Sequence, residues 1–200
     1  LNLVEKTAIP PAIPYRLILD ARPVNCRLPK WRVVMESART LSCVVSAGML
    51  LFRIDVCSAY DCVLVNQQST APLFGARVPI SESMAKKLIK EKLMTPNMCH
   101  EDKNGRKYVN TRSRTLSQGF SLSVAVYQKI SRCLLLYFRS LNIYCCQMLD
   151  DWVFAVKPAD FMRVRDLVVG KFRELGWPIS YGKSILPKID PERPLTYEKY

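Results

Sequence analysis

The sequence predicts an α+β fold in which helices pack on one face of a small antiparallel sheet. Three observations carry the prediction. Residues 49–56, MLLFRIDV, form a strongly apolar run that ends in an acid and reads as a buried strand. Residues 143–149 and 152–156 are two further apolar runs on either side of Asp150-Asp151, the pattern of a hairpin. Residues 121–141 and 160–175 carry apolar side chains at helical spacing.

The elements follow in chain order. Residues 1–30 are rich in proline (Pro10, Pro11, Pro14, Pro23, Pro29) and predict extended chain with one short strand, Tyr15–Leu19. After the 49–56 strand, Ser81 or Ser83 can cap a helix that runs to about Leu93, with Met84, Leu88, Ile89 and Leu93 on one face. Residues 95–106 read as a polar loop with Asn104-Gly105 as its turn signal, and Lys107–Thr111 as a short strand. Residues 121–141 have a helical apolar stripe of Val124, Tyr127, Ile130, Leu134, Phe138 and Leu141. The helix from about Asp160 turns Phe161, Val164, Leu167, Val168, Phe172 and Leu175 inward. Gly176 ends it and Pro178 prevents its resumption.

At 200 residues and 49% hydrophobic, the chain can bury an ordinary core. Thirty Lys and Arg against 17 acids leave a formal charge of +13, the footprint of a protein that meets a polyanion, nucleic acid above all. Eight cysteines show no C-x-x-C spacing, and the single histidine, His100, argues against Cys/His zinc ligation. Most of the cysteines lie in apolar stretches and read as small core hydrophobes in a reducing compartment, so an intracellular protein of cytoplasm or nucleus is expected, not a secreted one. Arg53 interrupts the longest apolar run, no signal-peptide pattern is present, and no membrane partner is expected. The chain reads as a piece of a longer protein.

Three aspartates carry the functional argument. Asp55 ends an apolar strand, and Asp150 and Asp151 occupy the tip of an apolar hairpin. A buried carboxylate without a partner costs several kcal/mol. Two adjacent ones also repel, and the next basic residue along the chain is Lys157. A divalent cation resolves that cost, because hard oxygen ligands suit Mg²⁺. An exposed turn with two solvated acids explains the pair equally well when it is taken alone.

Five blocks, in order, make the chain resemble the reverse transcriptases across nearly its whole length. YRLILDARPVN (15–25) is similar to the family's W-R-x-x-x-D-x-R-x-L-N block. The match implies that Arg16 contacts the triphosphate of the incoming nucleotide, a task suited to a guanidinium fork. Asp20, Arg22 and Asn25 match the remainder as structural residues. FRIDVCSAYDCV (52–63) resembles the first metal-binding motif. Asp55 is then a metal ligand and Tyr60 the aromatic that excludes a 2′-hydroxyl, although Asp61 lies close to the second aspartate of RNA-dependent RNA polymerases. LSQGFSLSVAVYQ (116–128) resembles L-P-Q-G-x-x-x-S-P-x-x-F-Q, with Ser117 and Val124 in place of the prolines. It implies that Gln118 and Gly119 line the nucleotide pocket, with Ser123 the pattern's serine.

QMLDDWVF (147–154) is similar to the Y-x-D-D hairpin, with Met148 where the tyrosine stands and Asp150 and Asp151 as metal ligands. LGWPISYGKS (175–184) and LTYEKY (195–200) resemble the segment after the palm helix and the start of the primer grip. Lys183 there matches a basic residue that assists the leaving pyrophosphate. Taken alone, Arg16 also reads as a solvated arginine, Tyr60 as a core aromatic, Gln118-Gly119 as an ordinary loop and Lys183 as a solvated lysine.

The resemblance implies a polymerase palm plus partial fingers. Residues 1–48 are expected as partial fingers, 49–188 as palm with an inserted fingers segment near 72–112, and 189–200 as the start of the primer grip. It implies template-directed DNA synthesis by two-metal nucleotidyl transfer with Mg²⁺, or Mn²⁺ in its place. The implied partners are a primed RNA or DNA template and deoxynucleoside triphosphates. A thumb, RNase H and integration domains are expected elsewhere in a retroelement polyprotein, with LDDW most like the elements that integrate with a tyrosine recombinase. Two other readings stay open: a non-catalytic nucleic-acid-binding module of polymerase type, and an RNA-dependent RNA polymerase. A basic nucleic-acid-binding domain of other ancestry predicts instead that Asp55 and the Asp150-Asp151 pair lie far apart.

Overall fold

The structure, a computed structural model, describes residues 2–5, 15–18, 20–68, 75–186, 188–190 and 193–196. They form a mixed α+β fold with antiparallel sheets throughout. Contacts divide the chain into two compact units, residues 1–28 with 64–120 and residues 29–63 with 121–200. The sequence reading places its boundaries elsewhere, at 48/49 and near 72 and 112. Residues 29–48 join the second unit because Glu36 pairs with Arg139 at 2.7 Å and accepts the backbone N–H of Gln147 at 3.0 Å.

In the first unit, β1 (Asn2–Glu5) pairs with β2 (Tyr15–Ile18), and the short helix α1 (Arg22–Asn25) follows. Strand β4 (Gly75–Pro79) leads to α3 (Glu82–Lys90), whose Ser81 cap accepts the N–H of Met84 at 3.2 Å. The predicted apolar face of that helix is only partly buried. Met84 in the first turn is exposed, and so is Leu93, which falls past the helix because the helix stops at Lys90 and Lys92 turns left-handed (φ 57°). The predicted 95–106 loop contains a third strand. Here β5 (Cys99–Glu101) and β6 (Lys107–Arg112) form a hairpin, closed by an Asp102 carboxylate that accepts the N–H groups of Asn104 and Arg106. The sheet order is β4-β6-β5.

In the second unit, α2 (Ala38–Val44) precedes β3 (Leu50–Asp55), the predicted apolar strand. Helix α4 (Ser121–Ser140), the hairpin strands β7 (Tyr144–Met148) and β8 (Asp151–Val156), and α5 (Phe161–Glu174) follow. The sheet order is β3-β8-β7. Strand alternation sends Phe52, Ile54, Trp152 and Phe154 to one face, where all are buried. There they meet Phe138 of α4 and Phe161 and Phe172 of α5, with Phe52 stacked on Phe154 at 4.8 Å and Trp152 edge-on to Phe172 at 5.3 Å. Burying that aromatic area drives the packing of helices on sheet. Strands β9 (Lys188–Asp190) and β10 (Arg193–Thr196) pair with each other.

The apolar stripe of 121–141 is only partly buried: Ile130 is exposed, as is Leu141 past the helix end, while Ser123, Gln128 and Ser131 are buried. Leu175 after α5 is also exposed. That helix ends as its sequence predicts. Gly176 takes φ 69°, and the N–H groups of Gly176 and Trp177 bond back to Arg173 and Phe172. No helix among the described residues is long and apolar enough to cross a membrane.

Candidate active site

Strand pairing brings the three aspartates together. In the register of β3 and β8, Asp55 stands directly opposite Asp151, and the N–H of Val56 donates to the carbonyl of Asp150 at 3.0 Å. The far edge of β3 is closed by residues 178–185. Arg53 and Ile185 exchange both backbone hydrogen bonds at 2.9 Å, Cys57 donates to Pro178, and Ser180 donates to Asp55. The Ser184 hydroxyl accepts the Asp55 N–H at 3.0 Å and donates to the Ser180 carbonyl. This turn carries Lys183 to the acids.

The electrostatics record the crowding. Asp55 is 8% exposed, and burial raises its carboxyl pKa above the ordinary carboxylate range. Lys183 opposes that rise more than any other neighbouring charge, while Asp150 and Asp151 add to it. Tyr60, in a 3₁₀ turn after β3, lies edge-on to Tyr127 with ring centroids 5.7 Å apart. Burial and then the charge of Asp150 raise its phenol pKa. Asp55 therefore lies within the field of Lys183, Asp150 and Asp151, and Tyr60 within that of Asp150. Asp61 is exposed.

The sequence places no cation near the Asp pair, but the fold supplies one. The Nε of Arg53 lies 3.1 Å from Asp151 Oδ1, and its Nη2 lies 4.0 Å from Asp55 Oδ2. The nearer contact is a charge contact and not an aligned hydrogen bond, since both atoms are buried without a hydrogen-bond partner. Period-2 alternation along RID puts Arg53 and Asp55 on the same face of β3, a signal present in the sequence.

A divalent ion suits this donor set. The carboxylates are hard oxygen ligands, their mutual repulsion is relieved by positive charge, and Asp151 Oδ1 is a buried acceptor without a donor. As the side chains stand, no three His, Cys, Asp or Glu among the described residues converge to hold a metal. Asp55, Asp150 and Asp151 could do so after Asp151 leaves Arg53.

A buried amide network supports the acid-bearing turn. Gln147 is fully buried, and its Nε2 donates to Ser131 Oγ at 2.7 Å and to the Leu149 carbonyl at 2.6 Å. Its amide also meets that of Gln128 at 3.3 Å. Leu149, the residue before Asp150, sits at φ 57°, a region that branched side chains rarely occupy. The Gln147 amide thus holds the strained carbonyl whose neighbour presents Asp150. Gln147→Leu leaves several buried polar groups unpaired and is expected to lower stability by about 2–3 kcal/mol, read as a shift in the urea midpoint. An unchanged midpoint refutes that role.

The remaining predicted site residues lie in the first unit. Arg16 is on β2, opposite Val4. Gln118 is half-buried, and Gly119 has φ 96°, a conformation open to glycine. Asn25 Nδ2 donates to the Gly119 carbonyl at 2.8 Å, so the first and third blocks meet through Asn25. Asp20 forms an exposed bidentate pair with Arg22, which lowers its carboxyl pKa to about 2. Residues 197–200 of the fifth block lie outside the described residues. No protein-family model matches the chain, and no curated protein matches it.

Proposed function

We propose that the chain is the palm, with part of the fingers, of a retroelement reverse transcriptase. One observation carries this reading. Three acidic residues from two distant segments meet at one end of a buried antiparallel sheet, beside a lysine from a third segment. A basic domain of other ancestry has no use for that meeting of Asp55 with the Asp150-Asp151 pair. In the reaction the primer 3′-oxygen bonds to the α-phosphorus of a nucleotide, the bond to pyrophosphate breaks, and the 3′-hydroxyl gives up its proton. Asp55, Asp150 and Asp151 would hold two Mg²⁺ or Mn²⁺ ions, whose charge would stabilise the attacking and leaving oxygens.

Lys183 is placed to offset negative charge on the departing pyrophosphate. The Tyr60 ring, set against Tyr127, forms a wall against a ribose 2′-hydroxyl. Arg16, Gln118 and Gly119 are proposed to contact the nucleotide. The formal charge of +13 favours a phosphate backbone as partner. One observation favours a non-catalytic module instead: the Arg53–Asp151 contact already neutralises one acid.

The test is primer extension on an RNA template with Mg²⁺, using the chain extended past Tyr200 by a thumb. Extension with dNTPs and not rNTPs is expected. Tyr60→Val is expected to improve rNTP use roughly 10- to 100-fold. Wild-type extension with rNTPs moves the assignment to an RNA polymerase. No extension with intact template binding favours the non-catalytic module.

A further inference from the structure

The β4-β6-β5 sheet has two faces of different character. Pairing in register puts Val78, Val109 and Cys99 on one side. On the other side stand Arg77, Tyr108, Asn110, Arg112 and His100. Arg77, Asn110, Arg112 and His100 are exposed, and Tyr108 is half-buried. The Arg77 guanidinium lies over the Tyr108 ring, 4.2 Å from its centroid, and the His100 ring stands 5.4 Å from it at a 30° tilt. The face therefore carries a three-membered stack, spread over three strands and flanked by a second arginine.

Among the described residues of the three strands, no acid shares this face. Glu101 pairs in register with Lys107 on the opposite side, and Asp102 accepts the N–H groups of the hairpin turn. Lys103 and Arg106, both exposed, extend the positive charge into that turn. The described strand residues on this face also include none of the large aliphatic side chains that anchor protein–protein contacts. Cations beside exposed rings fit a ligand with phosphates and open π-faces, which single-stranded nucleic acid offers and a duplex hides in its stack.

We infer that this sheet face binds single-stranded nucleic acid without sequence preference. Arg77 and Arg112 meet phosphates, and the His100–Tyr108–Arg77 stack receives unpaired bases. The surface lies in the unit without the three aspartates, and its binding requires no catalysis, so it holds whether or not the proposed polymerase activity does.

The test is fluorescence anisotropy of the 200-residue chain with a labelled oligothymidylate of roughly 12 nucleotides, titrated across a range of KCl. Tyr108→Ala is expected to weaken binding roughly tenfold or more, while Tyr108→Phe, which keeps the ring, binds as wild type. Arg77→Ala with Arg112→Ala is expected to reduce the slope of log affinity against log salt by about 1.4, from two lost phosphate contacts. Asp150→Asn is expected to bind as wild type, which separates this surface from the proposed catalytic centre. Should Tyr108→Ala fail to fold, the exposed arginine variants and His100→Ala decide the matter. Wild-type affinity and salt slope in folded variants would overturn the inference and make the stack a strand-pairing ladder. Equal competition by a duplex of the same length would also overturn it.

Discussion

Asp150→Asn is expected to abolish nucleotide addition, by on the order of 10³-fold or more, with template–primer binding unchanged. The amide keeps the size of the side chain but removes the charge that a cation needs. The partner variant Asp55→Asn is expected to lose extension equally and to fold more stably. Burial, then the like charges of Asp150 and Asp151, hold the Asp55 pKa above its unfolded value of 3.8. A carboxyl with a raised folded pKa contributes stability below the unfolded pKa and loses it as pH rises through the folded one. At neutral pH the wild type therefore bears a buried charge, only partly offset by Lys183 and Arg53, that the amide lacks. The gain for Asp55→Asn should be on the order of 1 kcal/mol, about 2–4 °C in Tm for a chain of this size. It should shrink as pH falls toward 4. Urea melts at the two pH values and extension assays on both variants check this. Full extension by Asp150→Asn refutes the site, and an Asp55→Asn protein that melts earlier at neutral pH refutes the account of its strain.

Phe138→Ala is expected to cost about 3–5 kcal/mol, the range for deleting a buried aromatic ring. Phe138 is fully buried and, besides Tyr137 on its own helix, touches three rings from other elements: Phe154 at 5.5 Å, Phe172 at 6.1 Å and Trp152 at 6.2 Å. Those partners belong to β8 and α5, so one side chain on α4 joins both helices to the sheet that carries the acids. A cavity there cannot collapse without moving two elements, which puts the cost toward the upper end of the range. The urea midpoint should fall with the m-value unchanged. A loss below about 1 kcal/mol would mean that the helices are held elsewhere.

Much of this was legible in the sequence because hydrophobic period and chain breakers are local signals. The apolar run ending in Asp55, the paired runs around Asp150-Asp151, and the stop at Gly176 each follow from residues close in sequence. What was not legible depends on distant pairing. Arg53 interrupts an apolar run in the sequence, and only the register of β3 with β8 makes it the neighbour of Asp151. Gln147 looks like an ordinary polar residue before the acids, and only burial against Ser131 and Gln128 gives it partners. The exposure of Ile130 has the same origin, since Gln128 and Ser131 are buried on α4 for their hydrogen bonds, while Leu141 lies past the end of the helix at Ser140. Strand β5 escaped prediction because Cys-His-Glu has no apolar alternation. The role of Asn25 toward Gly119 spans 94 residues of sequence separation.

The ion pair of Glu36 with Arg139 bears on how these chains behave in crowded solution. Strand β7 is a sheet margin, and a bare margin invites another chain to add a strand. Here Arg139 donates to the Cys145 carbonyl and Glu36 accepts from the Gln147 N–H, so two backbone groups that a foreign strand would seek are already engaged. The opposite margin, along β3, is taken by residues 178–185. Engagement of both margins disfavours the addition of a foreign strand to this sheet, and chains brought together at high concentration are expected to associate through some other surface.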